Sequence, residues 1–252
     1  MVSKLFDLDG RVALVTGAAQ GLGRGYAQAL ASAGALAICM DRDQPEETVA
    51  LIRDAGGKAE PCQVDISRPA GVQAAIDGIV SNYGRLDILV NNAGTEIEKN
   101  FLEYSEQEYD TIMGTNLRGL FFASQAAARY MAKQRSGKII NQGSLGSQIG
   151  LAGSTVYCAT KGGVLLFTKA LAIEMAPFNV QVNAIGPGYF RTSMTEPFFQ
   201  DPEHRHWIEN RIPAGRVGTN DDLAGTVVFM ASPASDYITG QIIYVDGGWL
   251  AS

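Results

Sequence analysis

The 252-residue chain has only two histidines and three cysteines, and just 18% of its residues are charged. With so few histidines, the pair His204 and His206, two residues apart, lacks the further ligands of a metal centre, and no metal is expected. Cys39, Cys62 and Cys158 are odd in number and unrelated in spacing, which excludes a disulfide framework and suits a reducing, cytoplasmic setting. Low charge beside 46% apolar residues excludes a disordered chain. A formal net charge of −6 gives no broad attraction to phosphate backbones or anionic lipid, so neither nucleic acid nor a membrane is expected as partner. No uninterrupted apolar run reaches the ~18 residues of a membrane span, and the opening MVSKLFDLDGR has the wrong charge pattern for a signal segment.

The sequence does have 29 glycines, grouped where short apolar runs give way to helix-like stretches. Strands are expected at 12–16, 36–40, 60–64, 86–91, 138–143, 179–185 and 241–245. Helices are expected between them at 21–33, 46–55, 69–83, 107–133, 156–175 and 221–231. Continuous apolar strands alternating with helices predict an α/β fold, a doubly wound parallel sheet in three layers. No linker or composition shift divides residues 1–252, so one domain is expected. The long irregular stretch 186–219, with short helices near 195–199 and 203–210, reads as a substrate loop or lid.

Thr16-Gly17-Ala18-Ala19-Gln20-Gly21-Leu22-Gly23 joins the first strand to the first long helix. Glycines there permit a tight turn and a close backbone approach, and a helix N-terminus offers unpaired N–H groups to a pyrophosphate. The strand–loop–helix context makes Gly17, Gln20, Gly21, Leu22 and Gly23 a dinucleotide loop. Asp41 follows the second strand, where a carboxylate accepts from a ribose and repels a 2′-phosphate. With the uncharged Gln20, it predicts NAD in preference to NADP; Arg42 is the contrary sign. Asp65 and Ile66, after the third strand, are placed beside the adenine.

Tyr157 and Lys161 are four residues apart on one helix face. A neighbouring ammonium favours a phenolate and predicts a lowered tyrosine pKa. Ser144 follows the strand at 138–143, at the sheet edge where ligands collect. Taken together, the loop, Ser144 and Tyr157-Cys158-Ala159-Thr160-Lys161 resemble the short-chain dehydrogenase/reductase family along essentially the whole chain. The resemblance implies a Ser144–Tyr157–Lys161 constellation, with Asn116 holding a water in the proton relay. It also implies cofactor contacts from Asn92, Ala93, Gly94, Tyr157, Lys161, Pro187, Gly188 and Thr192, and a homotetramer. GKIINQGSLGSQ, NVQVNAIGPGYFRTSM and SDYITGQIIYVDGGWLA are similar to sugar-acid dehydrogenases of the gluconate 5-dehydrogenase and 2-deoxy-gluconate 3-dehydrogenase type. A sugar acid, sugar or polyol is thus the implied substrate.

Two departures stand out from those relatives. Gln142 replaces the usual isoleucine before Ser144, and Glu98 stands where an arginine would meet a substrate carboxylate. A sugar acid would then rely on Lys99, Arg191 or Arg205; alternatively, Glu96 and Glu98 accept from the hydroxyls of a neutral sugar. Gln148 and Tyr189 complete the candidate substrate residues. A 3-oxoacyl thioester reductase is the alternative enzyme, disfavoured by Asp41 and Gln20. A cofactor-sensing scaffold is disfavoured because serine, tyrosine and lysine are all retained.

Overall fold

A computed structural model describes residues 2–193 and 195–252, apart from the side chains of Ser3, Pro197 and Phe198. Seven strands, β1 (Val12–Thr16), β2 (Leu36–Asp41), β3 (Lys58–Gln63), β4 (Ile88–Asn91), β5 (Gly137–Gln142), β6 (Val180–Pro187) and β7 (Ile242–Val245), form one sheet in the order β3-β2-β1-β4-β5-β6-β7. Every pairing is parallel. The helices are α1 (Val2–Leu5), α2 (Gly21–Ser32), α3 (Glu46–Asp54), α4 (Pro69–Tyr83), α5 (Glu106–Met113), α6 (Leu120–Gln134), α7 (Thr155–Met175), α8 (Glu196–Gln200), α9 (Pro202–Arg211) and α10 (Asn220–Ala231).

Side chains of a strand alternate between its faces, and β1 shows how this builds three layers. Ala13 and Val15 pack with Leu30 of α2, Ile52 of α3 and Val227 of α10. Val12 and Leu14 face the other way, onto Ile76 of α4, Ala127 of α6 and Ala172 of α7. Both faces are covered, which is why the strands read as unbroken apolar runs. Strand order reverses between β1 and β4, opening a crevice at their carboxyl ends where an open α/β sheet binds ligands.

The expected elements are present, with one interruption. The single helix expected over 107–133 is α5 and α6 joined by a π-helical turn, Gly114–Gly119. Apolar periodicity does not register such a turn, because the flanking faces remain in phase with the core. The turn buries Asn116 and presents it to the loop after β4.

Candidate active site

The crevice is a cavity of about 520 Å³ running from Asp41, Arg42 and Asp65 at one end to Ser144, Tyr157 and Thr192 at the other. Its floor is the β1–α2 loop. Gly17 has φ +68°, and a Cβ there would come within 2.9 Å of the Ala93 backbone. Gly23 has no room for a side chain, because a Cβ would overlap the Gly17 carbonyl oxygen and lie 2.5 Å from the Asn92 amide. Asn92 Nδ2 donates to the Thr16 carbonyl at 2.9 Å, and the Asn92 and Ala93 N–H groups both donate to Thr16 Oγ1 at 3.0 Å. From the outer side, Arg24 Nη2 donates to the Ala19 carbonyl and Thr48 Oγ1 to the Ala18 carbonyl. The loop is therefore built before any ligand arrives, with the first N–H groups of α2 available to a phosphate. This cradle, closed to a single added methyl, fits a pyrophosphate.

Of the sequence-predicted cofactor residues, Gly17, Gln20, Gly21, Leu22, Asp41, Arg42, Asp65, Ile66, Asn92, Ala93, Gly94, Tyr157, Lys161, Pro187, Gly188 and Thr192 line this one cavity. Gly23 lies behind it and acts by allowing close packing. The walls also include Thr111 and Thr115 near the Asp65 end, and Phe190 and Thr195 near the other. Nothing in local sequence marks these four; they arrive from the π-turned helix and from the loop after β6. Met194, within the expected lid, lies outside the described residues.

The chemical end is assembled from β5 and α7. Ser144 follows β5, and its Oγ accepts the Gly146 N–H at 3.1 Å. Tyr157 and Lys161 are on one face of α7, with Lys161 Nζ 5.4 Å from the Tyr157 ring centre. Nζ donates to the Gln142 carbonyl at 2.8 Å. The Gln142 side chain lines the cavity and accepts from the buried Tyr26 hydroxyl at 2.8 Å. The oxygen of this unusual polar side chain is thereby satisfied from α2, 116 residues away in sequence. Asn116 uses its side chain as a clamp: Oδ1 accepts the Thr95 N–H and Nδ2 donates to the Thr95 carbonyl, each at 2.8 Å.

The expected direction of the tyrosine pKa is reversed. Burial pushes the Tyr157 phenol well above its ordinary value and the Glu96 carboxylate adds to this, while the Ser144 hydroxyl acts in the opposite sense. Burial also pulls Lys161 down to about 8, against the raising effect of Glu96. Desolvation of the phenolate outweighs any help from the ammonium, so the protein holds Tyr157 as a neutral acid.

Among the candidate substrate residues, only Glu96 is on the cavity wall. Glu98 is exposed and packs against Gly153. Gln148 is exposed, and Tyr189 packs against Trp249 with ring centres 4.8 Å apart and planes tilted by 47°. The cations suggested for a carboxylate are paired elsewhere: Lys99 with Glu108 at 2.9 Å, Arg191 with Glu196 at 3.2 Å and Arg205 with Glu209 at 2.8 Å.

Comparison with known proteins matches this arrangement. A family model described as enoyl-(acyl carrier protein) reductase matches residues 17–250. A 2-dehydro-3-deoxy-D-gluconate 5-dehydrogenase of Escherichia coli (strain K12) is 42% identical over 252 residues, covering all of both chains. A gluconate 5-dehydrogenase of Burkholderia cenocepacia J2315, solved with NADP and tartrate, is 38% identical with a TM-score of 0.96 and full coverage of both chains. A 2-deoxy-D-gluconate 3-dehydrogenase candidate from Agrobacterium tumefaciens, solved with bound NADP, is 44% identical with a TM-score of 0.93, covering 98% of this chain and 99% of that one.

These NADP-bound relatives overturn the preference for NAD over NADP read from Asp41 and Gln20; NADP stands at least level with NAD. The geometry supplies a reason. Asp41 Oδ2 accepts the Ala19 N–H at 2.9 Å and Oδ1 the Asp43 N–H at 3.1 Å, so this carboxylate braces the loop. Arg42, its side chain 76% exposed, lines the same end of the cavity and offers positive charge there.

Proposed function

Since the chain belongs to the short-chain dehydrogenase/reductase family, we propose that it interconverts a secondary alcohol and a ketone on a sugar acid or related polyhydroxylated sugar. The observation that carries this reading is the convergence of Ser144, Tyr157 and Lys161 at one end of a cavity floored by the glycine loop, in a chain alike along its whole length to a sugar-acid dehydrogenase. A nicotinamide dinucleotide, NAD or NADP, supplies or accepts the hydride. The β1–α2 loop holds its pyrophosphate, Asp65 and Ile66 border the adenine, and Lys161 with Pro187, Gly188 and Thr192 holds the nicotinamide end. Ser144 orients the substrate oxygen by hydrogen bonding. Tyr157 donates its proton to that oxygen in reduction and removes it in oxidation. Asn116 fixes the Thr95 backbone at the mouth of the site.

The test is a panel of sugar acids, neutral ketoses, polyols and a 3-oxoacyl thioester, assayed for dinucleotide turnover with NAD(H) and NADP(H). The expected result is highest kcat/KM on a sugar acid or polyhydroxy ketone. Preferred turnover of the thioester would overturn the reading.

We also propose a homotetramer. α7 leaves Leu166 and Ile173 68% and 76% exposed, with Phe121 of α6 at 42%; these exposed apolar side chains on the paired helices support an interface between copies. By length and composition α7 and its extension, Thr155–Phe178, is also apolar enough to cross a membrane, but this helix carries Tyr157 and Lys161 and packs on the sheet. Light scattering should give four times the 26.8 kDa chain mass; a fully active monomer would contradict it.

A further inference from the structure

One ionisable group at the chemical end has no part in the proton transfer just described. Glu96 lines the cavity with Ser144, Tyr157 and Lys161, and it is held by a partner that gives up its usual role. Ser154 is the N-cap residue of α7, yet its side chain makes no cap hydrogen bond. A capping serine ordinarily accepts an N–H of the first turn. Here the buried Ser154 hydroxyl donates to Glu96 Oε1 at 2.5 Å. The surrounding backbone is fixed as well: the Lys99 N–H donates to the Gly153 carbonyl at 2.8 Å, and the Tyr104 hydroxyl lies 2.5 Å from the Ile97 carbonyl and 2.8 Å from that of Gly153. Among the described residues nothing donates to Glu96 Oε2. The group is a half-satisfied acceptor on a rigid mount.

The charges around it narrow what can approach. Lys99, Arg191 and Arg205 are committed to Glu108, Glu196 and Glu209, Arg211 lies over the Trp207 and Trp249 rings, and Lys161 is the only cation lining this end of the cavity among the described residues. Burial, with the charge of Glu98, raises the Glu96 pKa, a sign that the carboxylate lacks the donors it would have in water. A second carboxylate brought beside it would add repulsion that Lys161, already beside Glu96, offsets only in part.

We propose that Glu96 is a specificity-determining residue: its free oxygen accepts a hydrogen bond from a substrate hydroxyl on the carbon next to the reacting carbinol. The site thus takes a chain bearing a hydroxyl at that position and disfavours one bearing a carboxylate there. A carboxylate several carbons away, as in an aldonic acid reacting near its far end, is compatible. The proposal rests on the polyhydroxylated-substrate reading above and assigns which substrate group the protein reads.

The test compares 5-keto-D-gluconate with its 4,6-dideoxy analogue, which lacks the hydroxyls on both carbons flanking the reacting one, in the wild type, Glu96→Gln and Glu96→Ala. Losing a hydrogen bond to a charged group costs about tenfold or more, so the wild type should favour the hydroxylated ketone by at least about tenfold in kcat/KM. Glu96→Ala should bring that ratio to about one, mainly through KM; Glu96→Gln, which keeps an acceptor oxygen, should fall between. Any effect of Glu96 on the Tyr157 proton is shared by both ketones and cancels in the ratio. If both ketones lose activity equally in Glu96→Ala, or the ratio stays at its wild-type value, the assignment is overturned. Dinucleotide affinity measured by fluorescence reports folding of each variant, and Ser154→Ala, which removes only the mount, should reduce the ratio partway. Failure of wild-type enzyme to reduce any polyhydroxy ketone would instead reject the underlying functional reading.

Discussion

Tyr157→Phe should lower kcat by about 10²–10⁴-fold while leaving dinucleotide affinity close to that of the wild type, because it removes the transferable proton and little else. The pH dependence separates this role from a structural one. Burial raises the phenol pKa, so at neutral pH the acid form dominates and reduction proceeds; oxidation needs the deprotonated form and should accelerate as pH rises into the alkaline range. In Tyr157→Phe that alkaline rise should vanish. Near-normal turnover in the variant, or an unchanged pH profile, would remove Tyr157 from the reaction.

Gly23→Ala should weaken dinucleotide binding by at least about tenfold. The added methyl would overlap the Gly17 carbonyl and crowd the Asn92 amide, so the β1–α2 loop or the segment after β4 has to move. Overpacking of this kind costs about 1–3 kcal/mol, and here the displaced atoms are the phosphate cradle itself. Gly78→Ala provides the contrast: that glycine is exposed in α4 and a Cβ there meets nothing within 4 Å. It should leave affinity unchanged and stabilise the helix by about 0.5–1 kcal/mol. Equal affinities for both variants and the wild type, by fluorescence titration, would show that the cradle does not depend on close packing at Gly23.

Sequence reading located what is encoded locally. Strand and helix order followed from apolar runs separated by glycines, and the glycine loop and the Tyr157–Lys161 spacing carried the cofactor and proton-transfer sites because each is contiguous. What escaped depends on distant packing. The π-turn at Gly114–Gly119 changes hydrogen bonding without changing the apolar stripe. The Tyr26–Gln142 hydrogen bond joins α2 to β5, and no spacing rule relates them. Glu96 and Glu98 are two residues apart and chemically identical in sequence; in the fold Glu98 packs beside Gly153 and is exposed, while the Ser154 hydroxyl holds Glu96 on the cavity wall. The tyrosine pKa went the other way because charge proximity is visible in the chain and desolvation is not. The position of Asp41 in the chain points to a ribose contact, whereas its two backbone partners show that it braces the loop.

The most direct test of the central assignment follows the hydride. Wild-type protein is incubated in a single turnover with 5-keto-D-gluconate and reduced dinucleotide carrying deuterium at the transferred position of nicotinamide C4, in both its NAD and NADP forms. The account predicts one deuterium on C5 of the sugar acid per dinucleotide oxidised with at least one of the two cofactors, and transfer slowed by about 10²–10⁴-fold in Tyr157→Phe. Oxidation of the dinucleotide without label on the sugar, or transfer that persists at the wild-type rate in Tyr157→Phe, would contradict it.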